Sequence, residues 1–342
     1  MNPNWGEFLQ QQGALLHENV AQHFGDANGE LVAAQTGTVL CDLSQFGVLK
    51  ISGDDAQTFL HNLFSSDVRQ VSAEHAQISS FNSAKGRMLA TFLIWRSGED
   101  YFLHLPRSLC PAIQKKLSMY VLRSKVKIAD ASDEIVCLGV SGKNAESLLQ
   151  QHFGSVPQDM LAATQNNTTS IIRLDAQRFQ LNATPQDAAV IWHQLSTSAR
   201  PVGSPCWDWF NVRAGIPIVL PATQEQFVPQ MANLELIGGV NFKKGCYPGQ
   251  EIVARMQYLG KLKRRMYLAH IEGGTVPQPG DELFSADMEG QASGMVVNAT
   301  PAPNGGCDLL AVVQISSREG HTIHAQSPQG LKLDFLPLPY SA

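Results

Sequence analysis

Apolar residues recur at helical spacing at the start of the chain, where Trp5, Phe8, Leu9, Leu15, Leu16 and Val20 would share one face of an amphipathic helix. Val39 to Asp42 and Phe46 to Ile51 read as strands, and Ser52-Gly-Asp-Asp then supplies acidic groups that can cap a helix start. The helix that follows gathers Ala56, Phe59, Leu60, Leu63 and Phe64 on one side. Ile78 to Asn82, Met88 to Trp95 and Tyr101 to Leu105 have strand character, with Ala84-Lys-Gly-Arg as the turn between the first two. A helix is expected from about Arg107 to Leu122.

The middle of the chain repeats the mixture. Ile135 to Val140 reads as a strand and Ala145 to Phe153 as a helix. A polar loop follows at Asn166 to Ser170, then a strand pair over Ile171 to Leu181 and a helix over Pro185 to Ser196. Ser204-Pro205 fits a helix start, with Gly215 where that helix would stop. There is no βαβ rhythm and no dinucleotide glycine fingerprint, so antiparallel α+β layers are expected. From about Arg265 the texture changes. Short apolar runs at Met266 to Ile271, Gly294 to Val297, Leu309 to Ile315 and Thr322 to Ala325 are separated by Gly, Pro and Asn clusters. That pattern predicts a small C-terminal β-barrel or sandwich and a division into residues 1–264 and 265–342.

At 342 residues, with 44% hydrophobic and 16% charged residues, the chain has ample core for two or three domains and is not disordered. A net charge of −5 argues against a general nucleic-acid binder. Cys41, Cys110, Cys137, Cys206, Cys246 and Cys307 show no paired spacing, which fits reduced thiols rather than a disulfide framework. The first residues lack the character of a signal peptide and no apolar run is long enough for a bilayer, so a cytoplasmic protein without membrane contact is expected.

Against that acidic background the stretch from Asn241 to Arg265 is basic: Lys243, Lys244, Arg255, Lys261, Lys263, Arg264 and Arg265 face one acid, Glu251. Cys246 lies inside it. A working thiol needs an electropositive, partly exposed setting, which the two lysines and the bendable Gly245 and Gly249 offer; the bland alternative is a buried structural cysteine. Gln250 and Glu251 can together read the donor and acceptor edge of a flat heterocycle such as a pterin, or can simply open a helix. The cations can hold a row of carboxylates or phosphates, or form a solvated face. Trp207 and Trp209 read as core or as an aromatic wall. His321 and His324 have metal-like spacing but no further ligands nearby, so no metal site is expected.

The octapeptide Lys244-Gly-Cys-Tyr-Pro-Gly-Gln-Glu closely resembles the signature of the YgfZ-type folate-binding proteins, relatives of the aminomethyltransferase (T-protein) of the glycine cleavage system. Ala214-Gly-Ile-Pro, Gln226-Phe-Val-Pro-Gln-Met-Ala-Asn-Leu and Gly238-Gly-Val-Asn-Phe-Lys-Lys resemble the approach to that signature. Leu40-Cys-Asp-Leu-Ser, Phe59-Leu-His-Asn-Leu-Phe-Ser-Ser-Asp-Val and Lys85-Gly-Arg-Met resemble the family's N-terminal folate-binding region. The likeness covers most of the chain. It implies an α+β, three-domain aminomethyltransferase-like fold around a central channel, ending in a small β-barrel. It implies tetrahydrofolate as ligand and a role in making or repairing iron–sulfur proteins, including those that modify tRNA. Cys246 is then the functional residue. Lys244, Gly245, Tyr247, Gly249, Gln250, Glu251 and Arg255 are the expected folate-binding set. Iron–sulfur client proteins are the expected partners, with no DNA; a plain binding module whose basic segment holds RNA or a partner protein is the less favoured reading.

Two departures bear on activity. Aminomethyltransferases carry an Asp pair after the Lys-Gly turn, where this chain has Ala90-Thr91, so a true aminomethyltransferase is not expected. That activity, or another one-carbon transfer on tetrahydrofolate, is the alternative reading. The Arg-x-Glu that usually precedes Ala-Gly in the superfamily appears as Asn211-Val-Arg213, which removes a glutamate often used for the pterin.

Overall fold

The computed structural model describes residues 1–341 apart from 167 and 259. The chain forms two compact units, neither continuous in sequence. The first comprises Met1–Phe59, Arg69–Gln77 and Leu93–Trp207; the second comprises Leu60–Val68, Ile78–Phe92 and Asp208–Ala342. The strand Met88–Ser97 carries the chain from the second unit into the first.

In the first unit a six-stranded sheet runs in the order Ala163–Asn166, Thr169–Arg173, Arg178–Ala183, Val136–Ser141, Val39–Asp42, Arg200–Val202. Its neighbours are antiparallel except the last pair. The helices Pro3–Gln11 and Pro185–Leu195 bury Trp5, Leu9, Ile191 and Trp192 in one core with Leu40, Leu138 and Phe179 of the sheet. Trp5 is fixed there by its indole N–H, which donates to Asp42 Oδ1 at 2.8 Å. The N-terminal helix is shorter than its apolar spacing predicts. It stops at Gln11 because Gly13 has a left-handed φ of +92°, and Leu15 and Val20 fall instead in a hairpin turned by Glu18 and Asn19 at φ +49° and +61°. Within the predicted polar loop, residue 167 lies outside the described residues, and strands flank it at Ala163–Asn166 and Thr169–Arg173. The predicted helix after Arg107 runs over Cys110–Ser118, preceded by a single 3-10 turn.

The strand Gln77–Asn82, in the second unit from Ile78 on, neighbours Met88–Ser97 in one sheet, with the expected Lys85-Gly86 turn between them. The C-terminal region is a six-stranded antiparallel sheet that curls into a half-barrel. Its order is Ile323–Ala325, Glu282–Ser285, Ala292–Pro301, Cys307–Gln314, Arg264–Ile271, Asp334–Leu336. Alternate residues of these strands (Ala269, Ile271, Leu283, Val296, Leu309, Ala311, Val313) are buried together, the period-2 pattern of a sheet with one packed face. No helix among the described residues is long and apolar enough to cross a membrane.

Candidate functional site

Cys246 lies on a loop of the second unit that is fastened at three places. Before it, the Asn241 amide donates to Ser65 O at 2.8 Å, and the Ser65 hydroxyl donates to Gly239 O at 2.6 Å. Ser65 belongs to a buried hydroxyl network in which Ser80 Oγ lies 2.9 Å from Ser65 Oγ and 2.9 Å from Asn82 Oδ1. Buried hydroxyls in such a chain are costly unless each is bonded, so the network fixes one arrangement of the loop entry.

The second fastening is Lys244. Its side chain is turned inward, 6% exposed, and the ammonium donates to the carbonyl oxygens of His61 and Phe64. It also lies 4.9 Å from the centre of the Tyr247 ring. A buried ammonium needs such partners, because desolvation disfavours the charge. Tyr247 is buried as well, and burial pushes its phenol well above the ordinary range, so it stays neutral.

The third fastening is glycine on glycine. Gly249 has φ +77° and Gly86 has φ +70°, both in the left-handed region. A Cβ at Gly249 would lie 2.5 Å from Gly86 Cα and collide with Ser83 O, and one at Gly86 would come within 2.9 Å of Ile252 Cβ. The Lys85-Gly86 turn and the start of the Gln250–Tyr258 helix are therefore packed backbone to backbone.

Between these anchors Gly245 and Cys246 are exposed, and the other five cysteines are buried. Gln250 and Glu251 occupy the first turn of the helix, as the helix-start reading expects. Glu251 and Arg255 are exposed, while Gln250 is half-buried with its Nε2 3.5 Å from Lys244 O. The basic set divides on folding. Lys244 is internal. Arg265 is paired with Glu235 at 2.9 Å, whose carboxyl burial raises above the usual range despite that partner. Lys243, Arg255, Lys261 and Lys263 are exposed. Residue 259, within the same basic stretch, lies outside the described residues.

Thr91, which stands where aminomethyltransferases have an aspartate, is 3% exposed. Its hydroxyl donates to Pro217 O at 2.9 Å and accepts from the Val219 amide at 3.0 Å, tying that segment to the Met88–Ser97 strand. Arg213, in place of the superfamily glutamate, lies 3.6 Å from the Asp308 carboxylate. Asp308 also accepts from Trp209 Nε1 at 2.9 Å and lies 2.8 Å from His270 Nδ1. Trp207 and Trp209 are both buried, as core residues. His324 Nδ1 lies 2.7 Å from Pro328 O, and among the described residues no cluster of three His, Cys, Asp or Glu side chains could hold a metal ion.

His61 and Asp67 were not singled out by sequence, although both fall in the stretch Phe59 to Val68. His61 Nδ1 lies 3.1 Å from Asp67 Oδ1, and both side chains are about nine-tenths buried. The spacing of six positions is neither a helical nor a strand repeat, which is why periodicity does not flag the pair.

Residues 3–242 match the family model described as the GCVT N-terminal domain. The chain belongs to that family. Within it the chain is a YgfZ-type, GcvT-like protein. It is 28% identical over 313 residues to the tRNA-modifying protein YgfZ of Cronobacter sakazakii (strain ATCC BAA-894), an alignment covering 90% of this chain and 95% of that protein. Its structure is similar to the crystal structure of glycine cleavage system aminomethyltransferase T from Bartonella henselae, with a TM-score of 0.81 at 17% identity, covering 97% of this chain and 96% of that one. The fold is aminomethyltransferase-like, as the octapeptide and its flanking motifs imply.

Proposed function

We propose that this protein is a folate-dependent accessory factor in the synthesis or repair of iron–sulfur proteins, including iron–sulfur enzymes that modify tRNA, with Cys246 as its working thiol. The observation that carries the reading is the exposure of Cys246, alone among the six cysteines, on a loop whose two ends are held by buried contacts. A fixed, accessible thiol is what a nucleophile or a transient ligand requires, and a structural cysteine would be packed like the other five. The similarity to a tRNA-modifying YgfZ supports the client class, and the aminomethyltransferase-like fold supports tetrahydrofolate as the ligand.

In this reading Lys244, Tyr247 and Gly249 shape the site from within, while Gly245, Gln250, Glu251 and Arg255 are left to meet the folate. The site lies in a cytoplasmic protein. The test is complementation: cells lacking the native protein receive Cys246→Ala, and iron–sulfur enzyme activity and tRNA modification are measured. The variant is expected to accumulate normally and to restore neither; full restoration removes Cys246 from the mechanism.

The aminomethyltransferase reading has the fold in its favour and Thr91 against it. The Thr91 hydroxyl is committed to Pro217 and Val219, and offers no carboxylate to a reacting amine. Methylene transfer to tetrahydrofolate by the purified protein from a glycine-derived carrier would reverse this preference.

A further inference from the structure

The first unit carries a second basic stretch, which the proposed function does not use. Between Asp100 and Asp130 the sequence holds six lysines and arginines and no acid. Two of them are paired, Arg107 with Asp133 at 2.9 Å and Lys125 with Asp54 at 3.0 Å. The other four, Lys115, Lys116, Arg123 and Lys127, make no ion pair among the described residues. Amid them, the turn after the Cys110–Ser118 helix presents apolar side chains to solvent. Met119 is 70% exposed, Tyr120 41% and Leu122 89%. That turn is held in place. The Tyr120 amide donates to Leu117 O at 2.9 Å, the Ser124 amide to Val121 O at 2.7 Å and the Lys125 amide to Asp55 Oδ2 at 2.7 Å. A Cβ on Gly53 would collide with Lys125 O, so the far end of the turn is packed on the Gly53–Asp55 segment. Leu122 stands at φ +45°, in the left-handed region where glycine would sit with less strain.

We propose that this turn is a docking surface for a protein partner whose own face carries an apolar socket ringed by aspartates and glutamates. The inference rests on the accessory-factor reading, in which a client protein has to be met. Strain and exposure point the same way. A leucine here adds nothing to the core and costs backbone energy, so its use falls outside the free chain. An apolar centre containing Met and Tyr, ringed by cations, has the composition of a protein interface core inside its polar rim. Charge complementarity then makes the partner's rim acidic. A merely solvated face would interleave acids with these cations, and single exposed leucines need no explanation, but three apolar side chains within four residues form a patch. Nucleic acid fits less well, because bases stack on rings and the two most exposed side chains, Met119 and Leu122, are aliphatic. A lipid surface also fits less well. One acyl chain gives only marginal anchoring, and these two side chains offer less apolar surface than that.

Complementation with surface variants tests this. Leu122→Asp and the double variant Lys115→Glu/Arg123→Glu change only exposed side chains. Both should accumulate, keep the wild-type urea midpoint and react with iodoacetamide at the exposed Cys246 at the wild-type rate. In cells lacking the native protein they should restore iron–sulfur enzyme activity about tenfold less well than wild type, the loss expected when the centre or rim of an interface is given the wrong charge. Arg123→Lys should restore it. Should Leu122→Asp not fold, Leu122→Gly takes its place; it relieves the left-handed strain, so it should keep the wild-type midpoint and still fail to restore activity. Full restoration by the folded variants overturns the proposal. So does a failure to restore that goes with loss of a wild-type affinity for unfractionated tRNA or for phosphatidylglycerol vesicles, because the patch would then serve RNA or lipid. Cys246→Ala separates the two readings. If it restores activity in full while the patch variants fail, the thiol reading falls and the docking surface stands; the opposite pattern removes the docking surface alone.

Discussion

Gly86 and Gly249 meet backbone to backbone, with a Cβ at Gly249 placed 2.5 Å from Gly86 Cα, and that contact joins the Lys85-Gly86 turn to the end of the cysteine loop. Both positions also have positive φ. Gly249→Ala therefore meets strain and a clash together and should destabilise by ~2–4 kcal/mol, read as a lowered urea midpoint. Gly86→Ala should cost a similar amount, and the double variant less than the sum, because both remove one contact. Gly245→Ala, whose added Cβ would meet nothing nearer than His61 Nε2 at 3.8 Å, should change stability by less than ~0.5 kcal/mol. Equal costs at Gly245 and Gly249 would contradict the assignment of Gly249 as the loop's anchor.

Lys244 should behave as a structural cation. Lys244→Met keeps the aliphatic stem but leaves the His61 and Phe64 carbonyls without their donor, a loss of ~2–3 kcal/mol in equilibrium unfolding. Lys244→Arg should not rescue it, since a planar guanidinium cannot place its donors where the compact ammonium sits. Wild-type stability in either variant would show that the inward position is not needed.

Thr91→Val is nearly isosteric and removes only the hydroxyl. The Val219 amide then loses its acceptor and Pro217 O its donor in a buried setting, so the expected cost is ~1–3 kcal/mol. Hydrogen exchange should quicken at the Val219 amide in particular. Unchanged exchange there would mean that the segment is held by other contacts.

Removing the exposed cations Arg255, Lys261 and Lys263 together, with Arg265 kept for its pair with Glu235, should leave the fold intact. If these cations hold an anionic tail, tetrahydrofolate polyglutamate should bind wild type more tightly than the monoglutamate, and the triple variant should lose that difference. Calorimetric titration reads both affinities, and equal affinities for the two ligands in wild type refute tail binding.

The first unit contains an acid-sensitive group. His104 is packed between the rings of Phe46 and Trp95, its Nε2 is buried without a partner, and burial holds its imidazole down at about 3. An unfolded histidine titrates near ~6.5. Below that pH the unfolded chain takes up a proton that the folded chain refuses, so stability is full above ~6.5 and falls toward pH 3, by up to ~1.4 kcal/mol per pH unit. His104→Phe should flatten the dependence of unfolding free energy on pH between 4 and 6. An unaltered slope would place the acid sensitivity elsewhere.

Local pattern determined much of this protein. The period-2 strands, the helices over residues 145–153 and 185–195, the turn at Lys85-Gly86 and the single chemically framed cysteine could all be read in order along the chain, because each reports burial or backbone freedom within a few residues. The N-terminal helix is shorter than its apolar spacing predicts, because Leu15 and Val20 keep the helical spacing while Gly13 ends the helix. What only the tertiary structure decided are relations between distant positions. Two neighbouring lysines, alike in sequence, divide into an exposed Lys243 and an inward Lys244, because only the second reaches carbonyls some 180 residues away. Thr91 becomes a clamp because Pro217 and Val219 come to it. Such pairings depend on chain closure over long separations, and no local period records them.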